Sequence, residues 1–134
     1  MLIKKIIPLV ILLTAISCQN RIPKKKDLCG IYLGNQKYGV DSLILDSANV
    51  FNRLDENNPF EHIVILKNGD RMIELGTWKI SNDEIQFKNF SHKLPLGENI
   101  GMNTFCDIEF NSEENIKILL SEGFYYRKIP AHLK

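Results

Sequence analysis

The first eighteen residues of this 134-residue chain, MLIKKIIPLVILLTAISC, constrain its structure more than any other stretch. Lys4 and Lys5 give the chain a positive start, and an almost unbroken apolar run follows from Ile6 to Ile16. A run of about a dozen residues fits the core of a secretory signal peptide and falls short of the ~20 residues that span a bilayer. A helix buried in a globular domain would not be apolar on every face directly after a charged start. The sequence therefore predicts an exported protein.

Two kinds of signal cleavage would both cut the chain before Cys18. Ala15-Ile16-Ser17 satisfies the small-x-small rule of ordinary signal peptidase. The segment Thr14–Cys18, TAISC, also resembles a bacterial lipobox, with Ala15 where that pattern prefers leucine. The resemblance implies that the thiol of Cys18 is joined to a diacylglycerol and that its freed amine is then acylated. We expect a lipoprotein signal peptide over residues 1–17 and a lipid anchor at Cys18.

The cysteine count favours lipidation over simple secretion. The chain contains three cysteines, Cys18, Cys29 and Cys106. An odd number in an exported protein leaves one thiol to explain. If Cys18 carries lipid, the other two form an even pair, which suits an oxidising compartment.

Cys29 and Cys106 each share a predicted strand face with apolar residues. Cys29 alternates with Ile31 and Leu33, and Cys106 alternates with Ile108. One interpretation is a disulfide between the two strands, which would close a loop of about 77 residues and add about 4 kcal/mol of stability. The other interpretation is two buried free thiols that pack as small hydrophobic side chains.

Composition limits the number of domains and the kind of partner. Removal of residues 1–17 leaves 117 residues, which is enough for one domain and too few for two. The full chain has 17 basic and 16 acidic residues, and two of the lysines leave with the signal peptide. The mature chain is therefore close to neutral. No basic excess supports nucleic-acid binding.

Residues 18–27, CQNRIPKKKD, are polar, basic and interrupted by Pro23. They predict a tether between the lipid and a single β domain over residues 28–134. The nine residues from Gln19 to Asp27 reach at most ~30 Å when fully extended. The domain is therefore expected to lie close to the membrane. The basic residues of this tether either contact anionic lipid headgroups or form a solvated spacer.

From Leu28 onward, residues alternate with a period of two between frequent turn signals, which predicts strands rather than helices. Asn68-Gly69 is the strongest hairpin signal, because both residues tolerate positive φ. Sequential hairpins predict an all-β fold, an antiparallel meander barrel or curled sandwich of about eight to nine strands. The predicted strands are Cys29–Leu33, Ser42–Asp46, Val50–Leu54, Phe60–Lys67, Arg71–Ser81, Glu84–Phe90, Asn103–Phe110, Ile116–Ser121 and Phe124–Ile129.

The segment Gly76–Ile80, GTWKI, followed by Asn82–Phe87, NDEIQF, resembles a recurrent unit of small bacterial lipocalin-like lipoproteins. Those chains repeat a glycine–x–aromatic strand, a polar turn and an alternating strand. The resemblance is close over Gly76–Phe87 and extends elsewhere only as a rhythm; Gly30-Ile31-Tyr32 stands where that family opens with Gly-x-Trp. It implies a lipocalin-like barrel of about eight strands with an internal cavity, and no particular ligand.

The sequence contains no recognisable catalytic or metal-binding pattern. His62, His92 and His132 lack metal-ligand spacing, and His62 is interpreted as a core or rim histidine of an apolar strand. There is no nucleophile elbow and no glycine-rich phosphate loop. Acidic residues near turns, such as Asp41, are interpreted as turn formers. We expect a protein without cofactor or metal that acts by binding rather than by catalysis.

Aromatic residues are the remaining candidates for function. Trp78 and Phe87 could line a cavity inside the barrel or simply fill its core. Tyr125-Tyr126-Arg127 places aromatic side chains on both faces of the last strand. An exposed aromatic side chain beside an arginine suits a protein interface.

Two functions from different classes follow from these features. In the first, the barrel binds a small apolar ligand or an envelope component in its interior. In the second, its outer surface docks another envelope protein, as an inhibitor, an immunity factor or an assembly subunit would. Gln19 follows the lipidated cysteine where some enterobacteria use aspartate for inner-membrane retention. We therefore expect the lipid on Cys18 to bind the membrane and to anchor the protein in the outer membrane, where it faces the periplasm.

We predict that Cys18→Ala releases the protein from membranes or leaves its signal peptide uncleaved, because the acylated thiol is lost. Fractionation after an alkaline wash measures this, with Cys29→Ala as the control that should fractionate like the wild type. A Cys18→Ala protein that stays with the washed membranes would show that the anchor is elsewhere.

Overall fold

The computed structural model describes residues 23–47 and 56–133. The signal peptide, the lipidation site Cys18 and the predicted strand Val50–Leu54 lie outside the described residues. Within them, no helix is both long and apolar enough to cross a membrane.

The described chain forms a closed antiparallel barrel in which each strand pairs with the next, and β1 closes the circle with β8. This confirms the predicted all-β meander barrel. A one-turn helix, α1 (Lys25–Leu28), precedes the barrel, and short 3-10 turns lie at Ser121–Gly123 and Ala131–Leu133. The strands are β1 (Gly30–Gly34), β2 (Gly39–Leu45), β3 (Asn58–Leu66), β4 (Arg71–Ser81), β5 (Glu84–Lys88), β6 (Asn103–Ser112), β7 (Asn115–Leu119) and β8 (Tyr125–Lys128).

The meander gives the barrel two different ends. One end, called the α1 end, carries α1, the start of β1 and the chain terminus after β8. The opposite end, called the loop end, carries the turns after β1, β3 and β7. It also carries the long connection between β5 and β6, residues 89–102, which we call the mouth loop. The described chain begins at the α1 end.

The barrel interior is filled by large side chains from alternate strand positions. Trp78 on β4 is fully buried, and its Nε1–H donates to the backbone oxygens of Asp46 and Pro59 at 2.8 and 3.1 Å. Phe60 and Phe87 meet edge to face with ring centroids 5.4 Å apart. Edge-to-face packing aligns the positive edge of one ring with the negative face of the other.

The first strand faces the opposite way from the prediction. Leu33 was expected in the core together with Cys29 and Ile31, but Leu33 is 43% exposed and Tyr32 is fully buried. The hydroxyl of Tyr32 donates to the backbone oxygen of Leu28 at 2.6 Å. Because its polar tip has a partner, the large tyrosine ring can take the interior position.

The predicted disulfide is absent, since Cys29 and Cys106 are both free cysteines. Cys106 is buried on β6, whereas Cys29 is half-buried just before β1, and β7 and β8 separate these two strands in the sheet. Burial, followed by the nearby charge of Asp107, raises the pKa of the Cys106 thiol to about 12. The thiolate needed for disulfide exchange is therefore scarce at this position.

The packed domain begins earlier than the predicted boundary at residue 28. Residues 25–28 form α1, in which Asp27 and Leu28 are buried. The Asp27 carboxylate accepts the backbone N–H of Lys24 at 2.9 Å and thereby caps the helical turn. The end of the predicted tether is thus part of the folded domain.

We predict that Gly76→Ala destabilises the barrel by about 1–3 kcal/mol. An added Cβ would lie 2.1 Å from the backbone oxygen of Lys88 and 2.6 Å from the ring of Phe60. Urea denaturation measures the loss. Gly34→Ala is the graded control, because its Cβ would meet only side-chain atoms at 3.1 Å or more. Equal midpoints for the two variants would contradict the close approach at Gly76.

Candidate functional site

Polar and charged side chains converge inside the barrel at the loop end. Asp41 on β2, His62 on β3 and Glu74 on β4 are all buried, and Ser91 of the mouth loop is buried beside them. His62 and Glu74 are direct cross-strand partners, so the register of β3 and β4 brings them together. We call this set the ion cluster.

His62 lies between two carboxylates. Its Nε2 is 2.8 Å from Oδ1 of Asp41, and its Nδ1 is 3.3 Å from Oε2 of Glu74. Only a protonated imidazole donates from both ring nitrogens. Burial opposes that charge, but the hydrogen bonds to Asp41 and Glu74 outweigh it and raise the pKa of His62 above its ordinary value. The arrangement therefore favours a buried imidazolium.

Two tyrosines complete the coordination of Asp41. The hydroxyl of Tyr38 donates to Oδ2 of Asp41 at 2.6 Å, and that of Tyr126 donates to Oδ1 at 2.8 Å. Burial, followed by the contact with Asp41, raises the pKa of both phenols. Both hydroxyls therefore stay protonated and keep donating.

The mouth loop is bound by Glu74. Oε2 of Glu74 accepts the backbone N–H of Ser91 at 2.7 Å, and Oε1 accepts the Ser91 hydroxyl at 2.7 Å and the N–H of Gly97 at 2.9 Å. Burial alone would raise the pKa of Glu74, but the hydrogen bonds from His62, Ser91 and Gly97 outweigh it and lower that pKa. Glu74 thus accepts these bonds as a carboxylate.

These bonds lie where strand pairing between β4 and β5 ends. β5 pairs with Thr77–Ser81, which leaves Arg71–Gly76 without a neighbouring strand on that side in the described part of the chain. The Glu74 carboxylate links this half of β4 to the mouth loop instead. A side-chain contact therefore takes the place of a backbone ladder at this point of the barrel wall.

The mouth loop also closes the loop end with an aromatic ring. Phe90 is fully buried, with its ring centroid 4.8 Å from Phe87, 5.1 Å from the His62 ring and 5.8 Å from Phe60. Its centroid is 6.0 Å from that of Tyr126. Phe90 therefore covers the ion cluster, and in this conformation a solute has no path to His62.

The residues singled out from the sequence lie in two different places. Trp78 and Phe87 are buried in the core, and Tyr126 belongs to the ion cluster. Arg127 points outward with its Cζ 5.8 Å from the ring centroid of Tyr125. The structure thus separates Tyr125 and Arg127 from the interior aromatic residues.

Sequence reasoning missed the ion cluster. Asp41 was interpreted as a turn former, His62 as an isolated core histidine, and Glu74 was not considered. One signal was present, because Glu74 shares the alternate positions of β4 with Met72 and Trp78. A carboxylate on the face reserved for the core indicates a buried partner.

An apolar surface covers the outside of β1 to β4. Val40 and Ile65 are cross-strand partners, and Ile63 is paired with Ile73. Val40, Ile73 and Leu75 are 54%, 50% and 67% exposed. We call this surface the outer apolar face; it consists of Leu33, Val40, Ile63, Ile65, Ile73 and Leu75.

Cationic residues border the outer apolar face. Arg127 pairs with Leu33 in the sheet, and Arg71 pairs with Ile65. Lys37 and Lys67 lie in the neighbouring turns, and all four cations are exposed. The face therefore has an apolar centre and a largely positive rim.

Two clefts lie on the outside of the barrel. One, of about 200 Å³, is polar and is lined by Thr77, Lys79, Gln86, Lys88 and Asn103 among others. The other, of about 300 Å³, lies at the α1 end beside Cys29 and Lys128. Among the described residues, no group of three or more His, Cys, Asp or Glu side chains is arranged to hold a metal ion.

Comparison with protein-family models, curated proteins and solved structures finds no match to this chain. The fold and the geometry of its residues therefore carry the functional argument.

We predict a stability maximum bounded by Glu74 on the acid side and by His62 on the alkaline side. The lowered pKa of Glu74 adds stability above its ordinary value of 4.5, which is lost as the pH falls through the lowered pKa. The raised pKa of His62 adds stability below its ordinary value of 6.5, which is lost as the pH rises through the raised pKa. Thermal denaturation across pH measures both limits.

His62→Gln should cost about 3 kcal/mol, because it leaves two buried carboxylates without a cation. It should also remove the alkaline decline in stability. The exposed His132→Gln is the control and should keep the wild-type profile. An unchanged alkaline limb in His62→Gln would show that another group sets it.

Proposed function

We propose that this protein is a lipid-anchored, non-catalytic envelope lipoprotein that binds another envelope protein through its outer apolar face. The observation that carries this proposal is the exposure of five apolar side chains on β1 to β4, with the half-buried Ile63 between them. Monomeric soluble proteins rarely expose contiguous apolar patches larger than a few hundred Å². Patches above that size mark interaction sites. This is the interaction-module alternative of the two functions derived from the sequence.

The interior supports a carrier function less well. Trp78 and Phe87, the residues expected around an apolar ligand, are fully buried among other side chains. Phe87 packs against Phe60 and Phe90 with centroids 5.4 and 4.8 Å away. A ligand inside the loop end would have to displace Phe90. These contacts at the loop end support the interaction module over the carrier.

The geometry of the tether favours a partner at the same membrane. Six residues, Gln19–Lys24, connect Cys18 to the start of α1 at Lys25, and a fully extended segment of this length reaches about 20 Å. A lipid on Cys18 would therefore hold the α1 end near the bilayer. The outer apolar face would stand on the side of the barrel, above the membrane surface and open to the periplasm.

The rim of the face defines the chemistry of the partner. Lys37, Lys67 and Arg71 lie along the loop-end edge of the face, and Arg127 pairs with Leu33. The acidic Glu61 pairs with Leu75, and Asp70 lies in the turn between β3 and β4. Charge complementarity selects a protein surface with an apolar centre and acidic residues around it. Rim charges act mainly on the association rate, so added salt should slow binding.

We propose an outer-membrane location facing the periplasm, with lipidated Cys18 as the membrane contact. The signal segment and the position of Gln19 support it, and both come from the sequence. The near-neutral mature chain supports a protein partner rather than a nucleic acid.

A photoreactive amino acid at Leu75 tests the proposed face in cells of the source organism. It should capture a protein with a patch of acidic residues, because Leu75 is the most exposed residue of the face. Phe105 on β6 is the matched control, since it is 54% exposed and outside the face. The probe at Phe105 should capture no such protein.

Ile73→Lys should weaken capture from Leu75 about 30-fold or more, because it places a charge at the apolar centre. The proposal is wrong if Phe105 and Leu75 capture the same proteins, or if Ile73→Lys leaves capture unchanged. Capture of a second copy of this chain would replace the acidic partner with self-association.

A further inference from the structure

The mouth loop is a self-contained segment with one buried carboxylate beneath it. Its base is closed by the N–H of Gly101 donating to Oδ1 of Asn89, and Asn99 donates from Nδ2 to the backbone oxygen of Phe90 at 2.9 Å. Asn89 and Gly101 have positive φ of 65° and 79°. The loop thus has its own internal bonds between two sharp backbone turns.

Three of the donors that bind the loop to β4 converge on Glu74. They are the N–H and the hydroxyl of Ser91 and the N–H of Gly97, at 2.7 to 2.9 Å. A carboxylate accepts all three, whereas a protonated carboxyl group becomes a donor on one oxygen. The charge of Glu74 therefore decides whether these bonds can form together.

His62 connects that charge to the rest of the barrel. It contacts Glu74 on one ring nitrogen and Asp41 on the other. A neutral imidazole can donate to only one of the two carboxylates. The positive charge of His62 on β3 therefore binds the carboxylates of Asp41 on β2 and Glu74 on β4.

We propose that Glu74 and His62 form a pH-controlled latch for the mouth loop, closed while Glu74 is ionised and His62 is protonated. Protonation of Glu74 breaks the bonds to Ser91 and Gly97 and frees the loop from β4. The latch makes the binding of the mouth loop to β4 depend on pH. It does not depend on the proposed partner.

The surroundings of the pair are consistent with local control. β2 contributes Asp41, and β8 contributes Tyr126, whose hydroxyl is 3.0 Å from Nε2 of His62. The mouth loop covers the pair with the neutral ring of Phe90, 5.1 Å from the ring of His62. Tyr38 lies beside Asp41, Cys106 is buried on β6, and the loop itself carries His92, Lys93 and Glu98. Glu61, Arg71 and Arg127 on β3, β4 and β8 occupy the strand positions that face outward.

The direction of the pH response follows from the bonds themselves. The hydrogen bonds to Glu74 hold its pKa below 4.5, so the latch stays closed until the pH falls below that ordinary value. The contacts of His62 hold its pKa above 6.5, so the pair persists to higher pH than the charge of an ordinary histidine would. The loop should therefore open first on the acid side, before the core unfolds.

Amide hydrogen exchange of the mature protein tests the latch by NMR. The readout is the protection factor, the measured rate relative to that of an unstructured peptide at the same pH, so that the intrinsic pH dependence cancels. We expect the amides of Ser91 and Gly97 to lose about tenfold in protection for each pH unit below the pKa of Glu74. The amides of Val64 and Ile118 should stay protected over that range.

Glu74→Gln should give low protection of Ser91 and Gly97 at every pH, because the uncharged amide cannot accept all three donors. Glu98→Gln, an exposed carboxylate of the same loop, should behave like the wild type. If Glu74→Gln does not fold, Ser91→Ala removes the hydroxyl that donates to Glu74 and that also accepts the N–H of Gly97 at 3.0 Å. It should lower the protection of Gly97 several-fold and leave a pH dependence set by Glu74.

Two results would overturn the latch. One is a simultaneous loss of protection at Gly97 and Val64 in the wild type, which would mean that acid unfolds the whole barrel. The other is a Glu74→Gln protein that keeps the wild-type protection of Ser91 and its pH dependence.

Discussion

The contact of His62 with Asp41 and Glu74 is the interaction on which the loop end of the barrel depends. Two buried carboxylates without a cation would be costly, and removing one partner of such a pair typically destabilises a protein by about 3–5 kcal/mol. The cluster joins β2, β3 and β4, and Tyr126 adds β8. Through Glu74 it also binds the mouth loop where β5 no longer pairs with β4. One buried charge network thus closes the barrel wall that strand pairing leaves incomplete.

Large buried side chains occupy the barrel interior, whereas apolar side chains are exposed on its outer surface. Phe90 packs against Phe87 inside the loop end, and the ion cluster beneath Phe90 is buried. The outer apolar face remains exposed, with a positive rim. The proposed function assigns recognition to the outer apolar face and location to the N-terminal segment. Each of these tasks falls to a different set of residues.

Alternation and turn signals predicted the barrel because neighbouring hairpins are local features of the chain. They predicted strands around Trp78 and the Asn68-Gly69 turn, and both are present. The facing of β1 was wrong, because a hydrogen bond from Tyr32 to Leu28 outside the strand decides it. The predicted disulfide was wrong because the closure of the barrel decides which strands face one another. Alternation within single strands does not contain that information. In the ion cluster only the contact of Tyr126 with Asp41 depends on closure, since these residues meet after β8 pairs with β1. His62 and Glu74 are cross-strand partners of one hairpin, and they were missed because Glu74 was not considered as a core residue.

Nitrogen-15 NMR of the His62 ring measures the central contact directly. At about pH 7 an ordinary histidine is mostly neutral, with one protonated and one unprotonated ring nitrogen. The account predicts two protonated ring nitrogens for His62 at that pH, each with a proton that exchanges slowly with water. One bare nitrogen, with the shift of a neutral imidazole, would contradict an imidazolium held between Asp41 and Glu74.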